Sequence, residues 1–215
     1  MKSNLISLLF IGTVFILAFG AFQLWSWSED QAELPYFGKK KEFAANLRQA
    51  KAKGFGPVGN FNFINQDSVA FNQNEVSNKV WVADFFFTRC PSICPAMTNN
   101  LQLVQEAFAD RKDLKILSFT CDPEHDRPKQ LSNYAAAFDA NRAFWQFITG
   151  EKDLLYRFAR KQLFITATDG DGGETDFIHE QYLVLIDKEG YIRGYYDGTE
   201  IYEVKILIND IKKLL

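Results

Sequence analysis

The sequence predicts an α/β domain, a central mixed sheet flanked by helices, preceded by one N-terminal transmembrane helix. Three observations lead there. Two near-continuous apolar runs, Lys79 to Phe87 (KVWVADFFF) and Leu114 to Thr120 (LKILSFT), read as strands covered on both faces. A segment with helical periodicity follows each of them. An uncharged stretch of 21 residues, Leu5 to Trp25, is long enough to cross a bilayer as a helix.

Composition allows one ordinary core. The chain has 215 residues, 47% of them apolar, with 21 Phe, enough for a single domain with a proper interior. The formal net charge is −3, and no Lys/Arg stripe alternates with aromatics, so nucleic acid is not an expected partner. With only three Cys and two His, a disulfide-stapled mini-fold is excluded and each of these residues can be weighed singly.

The apolar stretch has the flanks of an uncleaved anchor. Trp25 and Trp27 stand where an interfacial aromatic belt belongs, Lys2 precedes the run, and Glu29, Asp30 and Glu33 follow it. That bias puts the N-terminus in the cytoplasm and the rest outside: a single-pass protein of the cytoplasmic (inner) membrane with its C-terminal domain on the outer, periplasmic side. A cleaved signal peptide is the alternative, but Ala18-Phe19-Gly20 is a poor cleavage site. The expected organisation is an anchor over residues 1–27, a polar tether with a short helix from about Lys41 to Ala52 over 28–56, and a globular domain over 57–215.

Within that domain, Phe61 to Ile64 and Ser68 to Phe71 read as short strands around an Asn65-Gln66-Asp67 turn. After the first apolar strand, a helix runs from about Ile93 to Ala109, with Leu101, Val104 and Phe108 at helical spacing. After the second, Asp126 and Pro128 mark a helix start, and the helix runs to about Phe138. Trp145 to Ile148 reads as a strand and Asp153 to Lys161 as a helix. The Gly- and Asp-rich stretch Asp169 to Asp176 must be loop. Tyr182 to Ile186 and Tyr191 to Tyr196 form a hairpin across Asp187 to Gly190, and Glu200 to Leu215 closes the chain as an amphipathic helix. The order β-α-β-α, then β-β-α, is the thioredoxin-like plan. Its reactive site lies where the first central strand hands over to the first helix.

That junction reads Thr88-Arg89-Cys90-Pro91-Ser92-Ile93-Cys94-Pro95. Pro95 is tolerated only in a first helical turn, and Ser92 is a candidate N-cap. Cys90 then lies on the loop and Cys94 in the first turn. Helix N-terminal charge and Arg89 would favour thiolates there, and thiolates bind soft metals. Helical side chains four apart have Cβ atoms about 5–6 Å from each other. A disulfide wants about 3.5–4.5 Å; two sulfurs can straddle a metal ion without strain. The bland alternative is a pair of inert structural cysteines.

His179 precedes the strand expected to pair beside the Cys-bearing strand. No proline follows Pro128, so the cis-proline of thioredoxin-like oxidoreductases is missing, and a His stands near its place. An imidazole beside two thiolates suits copper, as Cu(I) or Cu(II). A closed zinc site would need a fourth ligand, and none is evident. A solvated surface His is the plain alternative.

Together these segments resemble the SCO/SenC copper-chaperone family over residues 57–215. The resemblance rests on FFFTRCPSICP, on the Asp122-Pro123-x-x-Asp126-x-Pro128 segment, on His179 ahead of YLVLID, and on the N-terminal anchor. It implies one copper ion per chain held by Cys90, Cys94 and His179. It also implies a role in assembling the copper A site of cytochrome c oxidase. The implied partners are that enzyme's copper-receiving subunit or another copper protein, an upstream copper donor, and the membrane.

Four further residues need readings. Cys121, at the end of a buried strand, reads as a small core residue, with an auxiliary redox or ligand role as the alternative. His125 reads as solvated. Asp126 reads first as a helix-start signal. Asp84, inside an apolar strand six residues before Cys90, is either held by local hydrogen bonds or facing an open end of the sheet, or it assists proton transfer at the cysteines. Asp169, Asp171 and Glu180 trace a faint calcium-loop pattern that Gly173 and Glu174 break. Two functions therefore compete: a copper-carrying metallochaperone, which is not an enzyme, and a thiol–disulfide reductase that works through Cys90 and Cys94 with Asp84 assisting. A thiol peroxidase would need proline and threonine where Ala83 and Phe87 stand.

Overall fold

All seven residues of Val80–Phe86 are buried, which is what an apolar run covered on both faces dictates. The computed structural model describes residues 14–23, 33–165, 168–169, 177–178 and 180–215. The chain divides into two units, Met1–Glu33 and Leu34–Leu215. In the first, residues 14–23 are helical and Phe15, Ile16, Leu17 and Phe19 are exposed. Among the described residues no helix is long and apolar enough to cross a membrane; the rest of the stretch from Leu5 to Trp25 lies outside them.

The second unit opens with a two-stranded hairpin, β1 (Tyr36–Phe37) and β2 (Phe43–Ala44), followed by helix α1 (Leu47–Ala52). The chain then forms β3 (Asn62–Asn65), β4 (Ala70–Asn72) and β5 (Val80–Phe86). Helix α2 (Ile93–Ala107), β6 (Leu114–Thr120), α3 (Pro128–Ala137), β7 (Trp145–Thr149) and α4 (Lys152–Lys161) follow. A small pair, β8 (Thr168–Asp169) and β9 (Phe177–Ile178), precedes β10 (Tyr182–Ile186), β11 (Ile192–Asp197) and α5 (Ile201–Leu214). Each strand and helix expected in the domain is present, with ends shifted by at most two residues.

One seven-stranded sheet has the order β11-β10-β5-β6-β7-β3-β4. The central trio β5, β6 and β7 is parallel, with Asp84 opposite Ser118 and Phe86 opposite Thr120. The outer strands are antiparallel. Parallel neighbours need helical crossovers, which α2 and α3 supply. Phe86 packs 5.1 Å from Tyr134 of α3, and Gln102 of α2 donates to the Phe138 carbonyl at 2.7 Å, so α2 and α3 share a face. On the other face Phe85 stacks on Phe119 at 5.4 Å, and Phe119 meets Phe158 of α4 at 5.2 Å. Phe61 and Phe63 complete that aromatic layer. Each such ring contributes roughly 1.5–3 kcal/mol by leaving water.

The β10–β11 turn shows how local chemistry sets register. Asp187 Oδ1 accepts from the backbone N–H of Glu189 and Tyr191 at 3.1 and 2.8 Å, an Asx-type turn. Gly190 has φ of +86°, a left-handed conformation that favours glycine. Asp187 Oδ2 accepts from buried Arg193 at 2.9 Å. Arg193 also donates to the carbonyls of Leu34 and Pro35 and lies 3.9 Å over the Tyr36 ring. Residues 34–36, read from sequence as polar tether, are thereby held against the domain.

Candidate metal and redox site

Strand β5 ends at Phe86 and α2 begins at Ile93, so the intervening loop opens at the carboxyl edge of the central parallel strands. Cys90 is on that loop and Cys94 in the first turn of α2, as the Pro95 position requires. Both are buried and neither is in a disulfide. The Cys94 backbone N–H donates to Cys90 Sγ at 3.4 Å, so the helix N-terminus presents a donor to one sulfur. Ser92 is the N-cap residue, but its hydroxyl makes no capping hydrogen bond.

The expected thiolate bias is overturned at Cys94. Burial pushes its thiol above the ordinary range, and the neighbouring Cys90 adds to that. Desolvation outweighs the partial charge of the helix end because the residue is fully covered. Arg89, also expected to favour thiolate, turns to Asp122, donating through Nε and Nη2 at 3.2 and 2.6 Å.

Asp126 does more than the sequence suggested. Helix α3 begins at Pro128, and its N-cap is Arg127, not Asp126. The Asp126 carboxylate is fully buried and accepts three hydrogen bonds: from Thr88 N–H at 3.0 Å, Thr88 Oγ1 at 2.5 Å and Thr120 Oγ1 at 2.6 Å. Burial still pushes its pKa up, against those bonds. The effect is to staple the loop, two residues before Cys90, to the Asp122–Pro128 segment. The Asp-x-x-x-Asp spacing hinted at a role here; its partner Thr88 could not be read from sequence. Tyr134 and Thr98 were also missed: Thr98 Oγ1 donates to the Cys94 carbonyl at 2.8 Å and lies 2.9 Å from the Tyr134 hydroxyl.

Asp84 is buried on β5, accepting from Ser118 Oγ at 2.5 Å, while Trp145 Nε1 donates to Ser118 Oγ at 2.8 Å. Burial pushes its pKa up to about 7, opposed by the Ser118 bond. The local hydrogen bonds foreseen as one alternative are therefore present, and the group also titrates near neutrality. Cys121 is a buried core residue whose thiol donates to the Phe86 carbonyl at 3.1 Å, and burial pushes its pKa up as well. His125 is exposed. His179 lies outside the described residues, as do Asp171 and Gly173 of the calcium-loop pattern. Among the described residues no group of three or more His, Cys, Asp or Glu could hold a metal. Two soft sulfur donors at one helix end are the donor set a soft cation would take.

The SCO1/SenC family profile matches residues 49–215. The SCO1 protein homolog of Bacillus subtilis is 35% identical over 154 residues, which is 71% of this chain and 79% of that protein. A SCO1/SenC family lipoprotein from Bacillus anthracis has a similar crystal structure, with a TM-score of 0.68 at 30% identity over 74% of this chain and 95% of the other. BsSco, described as a member of the Sco family of cytochrome c oxidase assembly proteins with a disulfide switch, has a TM-score of 0.65 at 33% identity, covering 74% and 93%. Copper-bound ScoI of Bradyrhizobium japonicum shares the fold, with a TM-score of 0.62 at 20% identity, covering 74% and 100%.

Proposed function

The chain belongs to the SCO1/SenC family, and on that premise we propose that it is a membrane-anchored metallochaperone. It holds one copper ion through Cys90, Cys94 and His179 and helps assemble the copper A site of cytochrome c oxidase. The carrying observation is the pair of cysteines, neither of them in a disulfide, at the N-terminus of α2, with the Cys94 amide 3.4 Å from Cys90 Sγ. Copper is soft enough to prefer thiolates, and the imidazole accommodates Cu(II) as well as Cu(I). Burial raises the Cys94 pKa and so favours its protonated thiol, which must lose its proton to ligate; binding therefore releases a proton there and tightens as pH rises. The copper-bound relative and the assembly role of BsSco support this cargo and this client.

In this reading Asp126, Thr88 and Thr120 hold the Cys90 loop in place, and Arg89 with Asp122 braces its outer side. Residues 1–27 anchor the chain in the cytoplasmic membrane, residues 28–56 connect, and residues 57–215 face the periplasm, where an upstream donor supplies copper. The lipoprotein relative is consistent with a membrane address. The test is to load the chain and its His179→Ala variant with one equivalent of copper and compete with a chelator. The variant should lose copper at chelator concentrations the parent resists. Equal retention would remove His179 from the ligand set.

One observation favours a second reading. The buried Asp84 carboxyl, with pKa near 7, can exchange a proton at the pH where thiols react. As a reductase, the chain would release the two thiol protons and pass two electrons to a client disulfide, leaving a Cys90–Cys94 disulfide and two client thiols. The disulfide switch of BsSco is in line with this. His179→Ala separates the readings, because a pure reductase keeps its rate in that variant.

A further inference from the structure

Strand β3 is paired further along one side than along the other. Its ladder with β4 runs from Asn62 opposite Asn72 to Ile64 opposite Ala70, while its ladder with β7 holds only Ile64 opposite Thr149 and Asn65 opposite Ile148. Beyond Thr149 the chain turns off at Gly150 into α4. The Phe61 and Asn65 amides point to the β4 side, where they donate to Gln73 Oε1 at 3.1 Å and to the Val69 carbonyl at 2.9 Å. Amides alternate along an antiparallel strand, so those of Asn62 and Ile64 point the other way. There Ile64 meets Thr149; Asn62 meets no strand among the described residues.

That open edge faces a groove. Two adjoining cavities of about 390 Å³ each share Asn62, Phe63 and Leu154. One lies between β3 and α4, lined by Phe61 and Phe158 and by the exposed cations Arg157 and Lys161. The other reaches Ile64, Pro123, Arg127 and Thr149. Because β5, β6 and β7 run parallel, the chain beyond Thr149 and beyond Thr120 lies at the same sheet edge as the Cys90 loop. Ile64 and Leu154 are large apolar side chains left exposed. The groove is lined by three cations, Arg127, Arg157 and Lys161, and by one acid, Glu151. Among the described residues Arg157 and Lys161 form no ion pair.

We infer that this groove docks an extended segment of a partner protein that carries both apolar and acidic side chains. An open strand edge is a template for another strand, and the Asn62 amide is the group that such a segment would pair with. Its apolar side chains cover Ile64, Leu154 and the phenylalanine wall, and its carboxylates meet the cations that outnumber Glu151. Exposed side chains form much of the lining, which suits a strand better than an enclosed small ligand. The docked segment reaches the sheet edge that holds Cys90 and Cys94. The groove therefore sets a partner beside the thiol pair, whether that pair carries copper or exchanges electrons.

The test uses the reduced, copper-free, full-length chain in detergent micelles and a fluorescein-labelled peptide, Glu-Leu-Glu-Val-Glu-Leu, followed by fluorescence anisotropy. Its lysine counterpart, Lys-Leu-Lys-Val-Lys-Leu, should bind about ten-fold more weakly. Replacing both cations beside α4, Arg157→Gln with Lys161→Gln, should weaken binding of the acidic peptide about five-fold. Leu154→Glu, at an exposed helix position, should weaken it about ten-fold. Lys205→Gln, an exposed cation on α5, should leave it unchanged. Independently of any variant, hydrogen exchange in the parent should slow at residues 60–63 when the acidic peptide is bound. Binding indifferent to both the double variant and Leu154→Glu, protection that falls elsewhere, or no binding up to about 1 mM peptide overturns the inference. Self-association of the parent that Leu154→Glu abolishes would make the occupant a second copy of this chain and overturn the partner assignment.

Discussion

Replacing Asp84 with Asn should stabilise the protein, and by an amount that depends on pH. The native carboxyl titrates near 7 against a model value of 3.8. Between those values the folded chain keeps a proton that the unfolded chain gives up. Stability therefore falls as pH rises through that window, is free of the penalty below about 3.8, and carries all of it above about 7. The full span is about 3.2 units, or ~4 kcal/mol at about 1.36 kcal/mol per unit. Asn removes the ionisation but still accepts the Ser118 hydroxyl. Any fixed effect of the new amide is the same at every pH and cancels in the difference. Urea midpoints of reduced, copper-free Asp84→Asn and parent, taken at pH 5 and pH 8, should show a gain larger by about 3 kcal/mol at pH 8. A gain equal at both pH values would mean that Asp84 ionises freely in the fold, and the proton-exchange role built on its burial would fail.

Three further substitutions probe the supports of the site. Asp126→Ala leaves Thr88 N–H, the half-buried Thr88 hydroxyl and the buried Thr120 hydroxyl without their acceptor. It should destabilise by about 2–4 kcal/mol in urea titration and weaken copper retention, because Thr88 is two residues from Cys90. Cys121→Ala should lose about 1 kcal/mol of stability and leave copper stoichiometry unchanged by metal analysis, since its thiol is bonded to the Phe86 carbonyl in the core. Arg193→Ala strands a buried Asp187 and should destabilise by about 3–5 kcal/mol; removing both partners should recover part of that loss.

Much of the fold was legible because burial imposes pattern. A strand with both faces covered has no polar period, and Val80–Phe86 and Leu114–Thr120 are apolar for that reason. Pro95 and Pro128 could only stand in first helical turns, which fixed the starts of α2 and α3 to within a residue or two. The anchoring of residues 34–56 was not legible. Part of it comes from one arginine, Arg193, in a strand whose pattern gives no sign that its guanidinium turns back to Leu34 and Pro35. Spacing put Cys90 and Cys94 at the right junction, but spacing carries no dielectric information. Cys94 was expected to be acidic from the helix end and the adjacent Arg89, and complete burial reverses that. Asp126 was read as a cap because sequence shows its neighbour Pro128 and not Thr88, which is 38 residues away. His179 was singled out by its place ahead of β10; its assignment as a ligand stands on the family resemblance and on the thiol pair it would complete.

The most direct test is X-ray absorption at the copper edge on the singly loaded chain, paired with metal analysis. One copper per chain with two sulfur neighbours and one imidazole nitrogen, the nitrogen lost in His179→Ala, is the predicted result. Copper surrounded by oxygen and nitrogen alone, or no retained copper, would contradict a site built on Cys90 and Cys94.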